Sequence, residues 1–411
     1  MRKNGVNRTL QPIVGGVCAP SGFQANAVIC GFDGGTEKPD LALVAADKRC
    51  PAAFVCSDGV QRGAPVKVTQ KRLKSGYAQA VIVNSGAAIF LQPDGEILAE
   101  NVCRRLERIS NYLREDILIA STGKIDRDLR LETFEKGLKP LVAGLAATAE
   151  NSTLAARALM TTDTALKEIS YTFELGAYTC RIGAIFKGSQ KICPNMATVL
   201  GIITTDVNIS PAALQRALNA VVKDTFNALN GDGETSPNDM LCIFANGNAG
   251  NYQIDRADSE YEKFVYALRE TATEMCRQIA ADGGLPFVCK VKGAKSKRLA
   301  REIATRIVGA EGIKKAIGKG EFDIESLLYA VYAAGAETDF SKARVTLSSV
   351  VGKVVVFEGE PLQYPKEILK RTLFGGEVEI RLETEEGNYT AEAFGRAVSS
   401  AGSNGDLEKK N

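Results

Sequence analysis

Through the first half of the chain, short apolar, β-branched runs alternate with glycine-rich turns. Val81–Gly86 (VIVNSG) and Ile117–Gly123 (ILIASTG) each read as a buried strand that delivers polar residues at its exit. Between them Glu100–Glu115 repeats apolar residues at Val102, Leu106, Ile109 and Leu113, which predicts a helix. Ala147–Met160 predicts a second helix, leading into Thr161–Thr164 (TTDT). Ala197–Asp206 is an apolar run with polar flanks, hence a buried strand. A helix should follow, capped by Ser210, with Pro211 in its first turn and Leu214, Leu218, Val221, Val222 and Leu229 lining one side before Gly231. Tyr261–Ala281 reads as a long helix stopped by Asp282-Gly283-Gly284. Ser296–Val308 reads as another, with Leu299, Ile303 and Ile307 on one stripe. The region from Val345 to Phe394 is β-rich with charged turns, and the polar ending SAGSNGDLEKKN is expected to be disordered. No internal repeat of fixed period is present.

Strands interleaved with long helices define an α/β class (α+β), with sheets covered by helices. At 411 residues the chain is long enough for two or more packed domains. A hydrophobic share of 45% and a charged share of 24% suit a globular enzyme, and a net charge of +2 suggests no nucleic-acid partner. No stretch reaches about 18 uninterrupted apolar residues, so no membrane partner is expected. The opening MRKNGVNRTLQPIVGG lacks a signal-peptide core, which points to a cytoplasmic protein. The ten cysteines form no CxxC pair and read as small hydrophobes in a reduced core, with no metal site.

The absence of histidine narrows the chemistry most. It removes Ser–His–Asp and Cys–His machinery, imidazole metal sites and every histidine general base. The segment Phe186–Asp206 (FKGSQKICPNMATVLGIITTD) places a lysine, a proline and small residues before a buried strand that begins near Thr198. A threonine hydroxyl needs a base, and the simplest one here is the threonine's own α-amine, which ordinarily titrates near pH 8. That amine exists only after the Ala197–Thr198 bond is broken. On the residues alone, a nucleophile of this kind and an ordinary polar approach to a strand both remain open.

Lys187–Thr198 (KGSQKICPNMAT) resembles the cleavage motif of the ornithine acetyltransferase family, the glutamate N-acetyltransferases. Gly15–Ala25, Asp40–Leu43, Ala64–Val66, Val81–Gly86, Ala120–Gly123 and Met160–Thr164 resemble family segments in order. After the motif come Phe226–Asp239, Ala245–Gly247 and Lys292–Ser296, so the likeness runs from about residue 10 to about residue 320. It implies a helix-flanked sheet sandwich of the self-processing N-terminal-nucleophile type, with a smaller β-rich C-terminal subdomain. It also implies cleavage into fragments 1–197 and 198–411. Residues 198–285 would complete the main domain, about 286–400 would form the C-terminal subdomain and 401–411 a disordered tail. Thr198 would be the nucleophile, Lys187 and Thr161 would line the substrate pocket, and Thr122 with Gly123 would form the oxyanion hole.

The implied reaction belongs to arginine biosynthesis. Thr198 takes the acetyl group of N-acetylornithine and passes it to glutamate, with no metal or other cofactor; acetyl-CoA would be a further acetyl donor if the enzyme is bifunctional. The implied partners are these small-molecule substrates, the two fragments of the same chain and further copies in a homo-oligomer. Several recognition segments depart from the family. Asp282–Lys290 (DGGLPFVCK) has no glutamate where relatives carry one, Gly318–Ala330 replaces a Pro-Asn-Trp-Gly-Arg stretch, and Ala87-Ala88-Ile89 follows VNSG. The ending also lacks the family's Asn…Tyr-Arg tail. These departures leave two other expectations open: a diverged paralogue acting on another N-acyl amino acid or amide, and a non-catalytic scaffold.

Overall fold

The structure is a computed structural model and describes residues 10–35, 37–57, 59–189, 199–231, 235–335 and 337–398. The described residues fall into two compact units. The first draws on Met1–Gly188, Thr198–Val221 and Ser236–Met275, the second on Ser189–Ala197, Val222–Thr235 and Cys276–Asn411. The boundary between Ala197 and Thr198, and the ending from residue 399 onward, lie outside the described residues.

The first unit is built on a nine-stranded mixed sheet. Its strands begin with β1 (Gln11–Pro12), β2 (Phe23–Val28), β3 (Leu41–Cys56), β4 (Tyr77–Asn84) and β5 (Ile117–Ser121). They continue with β6 (Glu168–Leu175), β7 (Tyr178–Lys187) and β8 (Leu200–Thr205). After β9 (Leu229–Asn230), which belongs to the second unit, β10 (Met240–Ala245) completes the set. The path runs β1-β6-β7-β8-β10-β3-β4-β5, with β2 paired to β3. Sixteen-residue β3 joins the two halves: its first part pairs with β2 and β4, and Ala52–Cys56 pairs with β10.

Side chains on a strand alternate between faces, so each strand can serve two cores. Ala80, Ile82, Ile117 and Ile119 enter one buried cluster, together with apolar residues of helices α2 (Gly95–Glu107) and α3 (Leu131–Ala143), which follow α1 (Ala64–Arg72). Val81, Val83, Leu118 and Ala120 enter another, shared with α4 (Ala149–Leu159) and with Ile185, Leu200, Ile202 and Phe244 from the other half of the sheet. The helix expected at Glu100–Glu115 therefore starts and ends earlier: Leu98 and Ala99 extend its buried stripe upstream, and Leu113, beyond its end, is 55% exposed.

Helix α5 (Pro211–Asp224) opens at the expected proline and buries Leu214, Leu218, Val221 and Val222. Leu229 is not on it; that residue lies in β9, where Phe394 pairs with it. Helix α6 (Ser259–Ala281) ends where the glycines begin, and Gly283 takes a φ of 80°.

In the second unit β9 and β11 (Leu285–Ala294), β12 (Arg344–Ser349), β13 (Gly352–Glu358), β14 (Val378–Glu383) and β15 (Tyr389–Ala397) form a sheet in the order β13-β12-β14-β11-β15-β9. The C-terminal region is thus β-rich, as its pattern implied. It is also helical: α7 (Lys297–Gly309), α8 (Glu311–Lys319), α9 (Ile324–Ala333) and α10 (Lys366–Leu373) share its core. Ser296 caps α7 by accepting from the Leu299 N–H at 3.1 Å, and Ile303 and Ile307 are buried beneath it. Among the described residues no helix is long and apolar enough to cross a membrane.

Candidate active site

Two strand exits and one strand end meet in the first unit. The N–H of Thr122, just after β5, donates to Asn84 O at the end of β4, at 3.0 Å. Gly123 has a φ of 131°, and a Cβ there would lie 2.5 Å from Ala87 N, so the turn requires glycine. Lys124 N–H donates to Gly86 O at 3.0 Å, and the hydroxyl of Ser121 accepts from Ile89 N–H at 3.0 Å. The VNSG and ASTG segments are thereby one braced structure.

Lys187, the last residue of β7, reaches this structure. It is only 5% exposed, and its Nζ donates to Thr161 Oγ1 at 2.6 Å and to Thr122 Oγ1 at 3.3 Å. Thr122, Thr161 and Lys187 are therefore brought together, and Gly123 adjoins Thr122 in sequence. Among the described residues nothing accepts from the Gly123 N–H. Ala197 and Thr198 lie outside the described residues. Val199 is buried, and its carbonyl accepts from Met240 N–H at 3.0 Å. In the antiparallel pairing of β7 with β8, Lys187 stands opposite Leu200.

Asp163 organises the cluster, and sequence reasoning assigned it no role. One carboxylate oxygen accepts from Thr161 N–H at 3.0 Å. The other accepts from Gly188 N–H and from Lys167 Nζ, both at 2.8 Å. Its side chain has no exposed surface and that of Lys167 only 2%. Burial alone would lift the Asp163 carboxyl, but the ammonium groups of Lys187 and Lys167 hold it below the usual carboxylate range. Burial depresses the Lys187 ammonium, a shift opposed by the negative charges of Asp163 and Asp239. A signal for Asp163 was available: an acid inside TTDT, in a chain without histidine, needs a cation once it is buried.

Chemically, the cluster offers an ammonium, a threonine hydroxyl and a turn N–H to a carboxylate or a developing oxyanion. The thiols offer little. Among the described residues Cys18, Cys30, Cys50, Cys103, Cys180, Cys242, Cys276 and Cys289 are in no disulfide, and burial pushes Cys18, Cys50 and Cys242 up to about 12.

The departures have structural counterparts. Ala87 and Ile89 are core residues with no exposed surface. Gly284 is closely covered: a Cβ there would lie 2.5 Å from Arg396 Cγ and 2.7 Å from Ala397 O. The Arg396 guanidinium donates to Asp282 O at 3.0 Å and to Ser189 O. A glutamate at 284 would displace this arginine.

A site in which a buried lysine and two threonines converge, in a mixed α/β chain without histidine, fits enzymes that work through hydroxyl and amine groups. The comparisons make this specific. The ArgJ family model matches residues 24–401. The arginine biosynthesis bifunctional protein ArgJ of Symbiobacterium thermophilum is 34% identical over 388 residues, covering 93% of this chain and 95% of that protein. Its counterpart in Bacillus subtilis is 33% identical over 390 residues, covering 93% of each. A crystal structure of the bifunctional protein from Bacillus halodurans shares 27% identity, with a TM-score of 0.46 over 50% of this chain and 98% of that one. A structure of Mycobacterium tuberculosis ornithine acetyltransferase complexed with ornithine shares 27% identity, with a TM-score of 0.37 over 40% and 88%. The chain belongs to the ArgJ family.

Proposed function

We propose that this chain is an acyltransferase of arginine biosynthesis that moves an acetyl group from N-acetylornithine to glutamate. Thr198, released as a new N-terminus by self-cleavage after Ala197, is the nucleophile. The observation that carries the reading is the buried Lys187 donating to half-buried Thr161 and Thr122, at the end of a strand whose partner begins just after Thr198. Family membership and the naming of relatives as arginine biosynthesis proteins support it.

In the first half-reaction the α-amine of Thr198 takes the hydroxyl proton as the oxygen attacks the acetyl carbonyl. Thr122 and Gly123 donate to the oxyanion, one such donor being worth roughly 3–4 kcal/mol. The C–N bond breaks, and the departing ornithine amine takes the proton. Glutamate's amine then attacks the acetyl-threonine ester, giving N-acetylglutamate and free Thr198. Lys187 and Thr161 hold the substrate carboxylate. The scheme uses no metal or cofactor, and acetyl-CoA is an alternative donor only if the enzyme is bifunctional. The working particle is the pair of fragments, assembled into a homo-oligomer in the cytoplasm.

Initial rates over both substrates test the reaction. Parallel double-reciprocal lines are expected, since the acetyl group rests on the enzyme between two substrates. Intersecting lines, or no transfer, would overturn the scheme. One observation favours a second reading, a different N-acyl donor: Gly284 is packed under Arg396, where relatives carry an acid nearby. A panel of N-acyl amino acids decides it, since a donor used far better than N-acetylornithine would replace it.

A further inference from the structure

The second unit carries an open cavity of about 840 Å³, within the roughly 300–1,000 Å³ range typical of small-molecule sites. All its lining residues belong to that unit. Part of the lining is cationic: Lys223 from the last turn of α5, and Arg298, Arg301 and Arg306 from α7. The acids in the lining are Glu302 and Glu311, so the four cations exceed them by two charges.

The pairing inside the cavity shows which cations remain available. Arg301 is bound to Asp224 at 2.5 Å and Arg306 to Glu302 at 2.9 Å. Glu311 turns to Lys314 at 3.4 Å. Among the described residues Lys223 and Arg298 have no ion-pair partner, and both are exposed. Helix α8 starts at the same place: Ala310 caps it without a side-chain acceptor, and Glu311 and Gly312 of its first turn line the cavity. Unpaired cations beside first-turn N–H groups favour a dense anion such as a phosphate.

A different part of the lining is apolar and aromatic, formed by Tyr329, Ala330 and Ala333 of α9. Tyr329 is 63% exposed, and its hydroxyl is spent on Glu325 Oε1 at 2.5 Å. The ring is therefore held by its edge with its surface open, which suits stacking on a planar heterocycle.

We propose that this cavity binds a nucleotide, with its phosphates on Lys223 and Arg298 and its base against Tyr329. A free nucleotide and the nucleotide end of a larger carrier share that chemistry. The site is independent of the acetyl-transfer reading, because its test is binding alone.

Isothermal titration of the full-length protein with ADP, inorganic pyrophosphate, adenosine and coenzyme A tests the proposal. ADP should bind measurably at micromolar to millimolar concentration, more tightly than pyrophosphate or adenosine alone. Reversing both free cations, Lys223→Glu with Arg298→Glu, should weaken ADP at least about tenfold. Tyr329→Ala should weaken ADP and leave pyrophosphate unchanged. Thermal melts check that the variants fold, and the single Arg298→Gln change serves if the double variant does not. Coenzyme A binding more tightly than ADP would assign the site to a carrier, and weaker binding to a free nucleotide. Absence of ADP binding, affinity unmoved by the charge changes, or pyrophosphate bound as tightly as ADP would overturn the proposal.

Discussion

The two groups of cations in this molecule are built in opposite ways. In the first unit Lys187 and Lys167 are buried, and each has assigned acceptors: Thr161 and Thr122 for one, Asp163 and Ala165 O for the other. In the second unit Lys223 and Arg298 stand exposed at a cavity, while Arg301 and Arg306 are held by Asp224 and Glu302. A buried ammonium is costly unless paired, so its partners must be fixed, and fixed donors are what an oxyanion or carboxylate site requires. Exposed cations cost little and position little; they capture charge rather than direct a reaction. Substitutions in the two regions should therefore differ in kind.

The largest effect belongs to the proposed nucleophile. Thr198→Ala should remove self-cleavage and lower acetyl transfer by roughly 10³-fold or more, in assays of full-length protein. Retained wild-type activity would move the chemistry elsewhere. Next comes Asp163→Asn, which leaves two buried ammonium groups without their shared carboxylate. Urea denaturation should show a loss of about 3–5 kcal/mol, against about 1 kcal/mol or less for Arg306→Gln in the exposed group. A carboxylate held below its ordinary 3.8 adds stability above that pH and loses it as pH falls through the folded value. The Asp163→Asn penalty should therefore be full at neutral pH and shrink below 3.8; a constant penalty would show that the charge is not the cause.

Lys187→Met removes the ammonium proposed to hold the substrate carboxylate, and the Michaelis constant for the N-acyl donor should rise roughly 10- to 150-fold. An unchanged constant would reduce Lys187 to a structural residue. The smallest effect is Ser296→Ala, which removes the α7 cap and should cost about 1 kcal/mol in chemical denaturation, with no change in transfer kinetics.

What the sequence made legible follows the same division. The strands at Val81–Gly86 and Ile117–Gly123 were readable because both of their faces are buried and their exits are polar. The family resemblance singles out Thr161 and Lys187 for the substrate pocket and Thr122 for the oxyanion hole, and their meeting depends on sheet order, which periodicity does not encode. Asp163 was missed because its role appears only once Lys167 and Gly188 are brought to it by β6 and β7. Leu229 was assigned to a helix because its spacing continued the stripe of α5, while pairing with β15 made it a strand. Helix α10 lies inside the β-rich pattern from Val345 to Phe394, whereas α8 and α9 fall in the stretch before it, to which the pattern assigned no element.

The most direct test of the central claim is the covalent state of the purified wild-type protein. Intact mass and N-terminal sequencing should find two chains, residues 1–197 and 198–411, the second beginning Thr-Val-Leu-Gly. A single unbroken chain of 411 residues that transfers acetyl groups at full rate would contradict it, since Thr198 would then have no α-amine to act as its base.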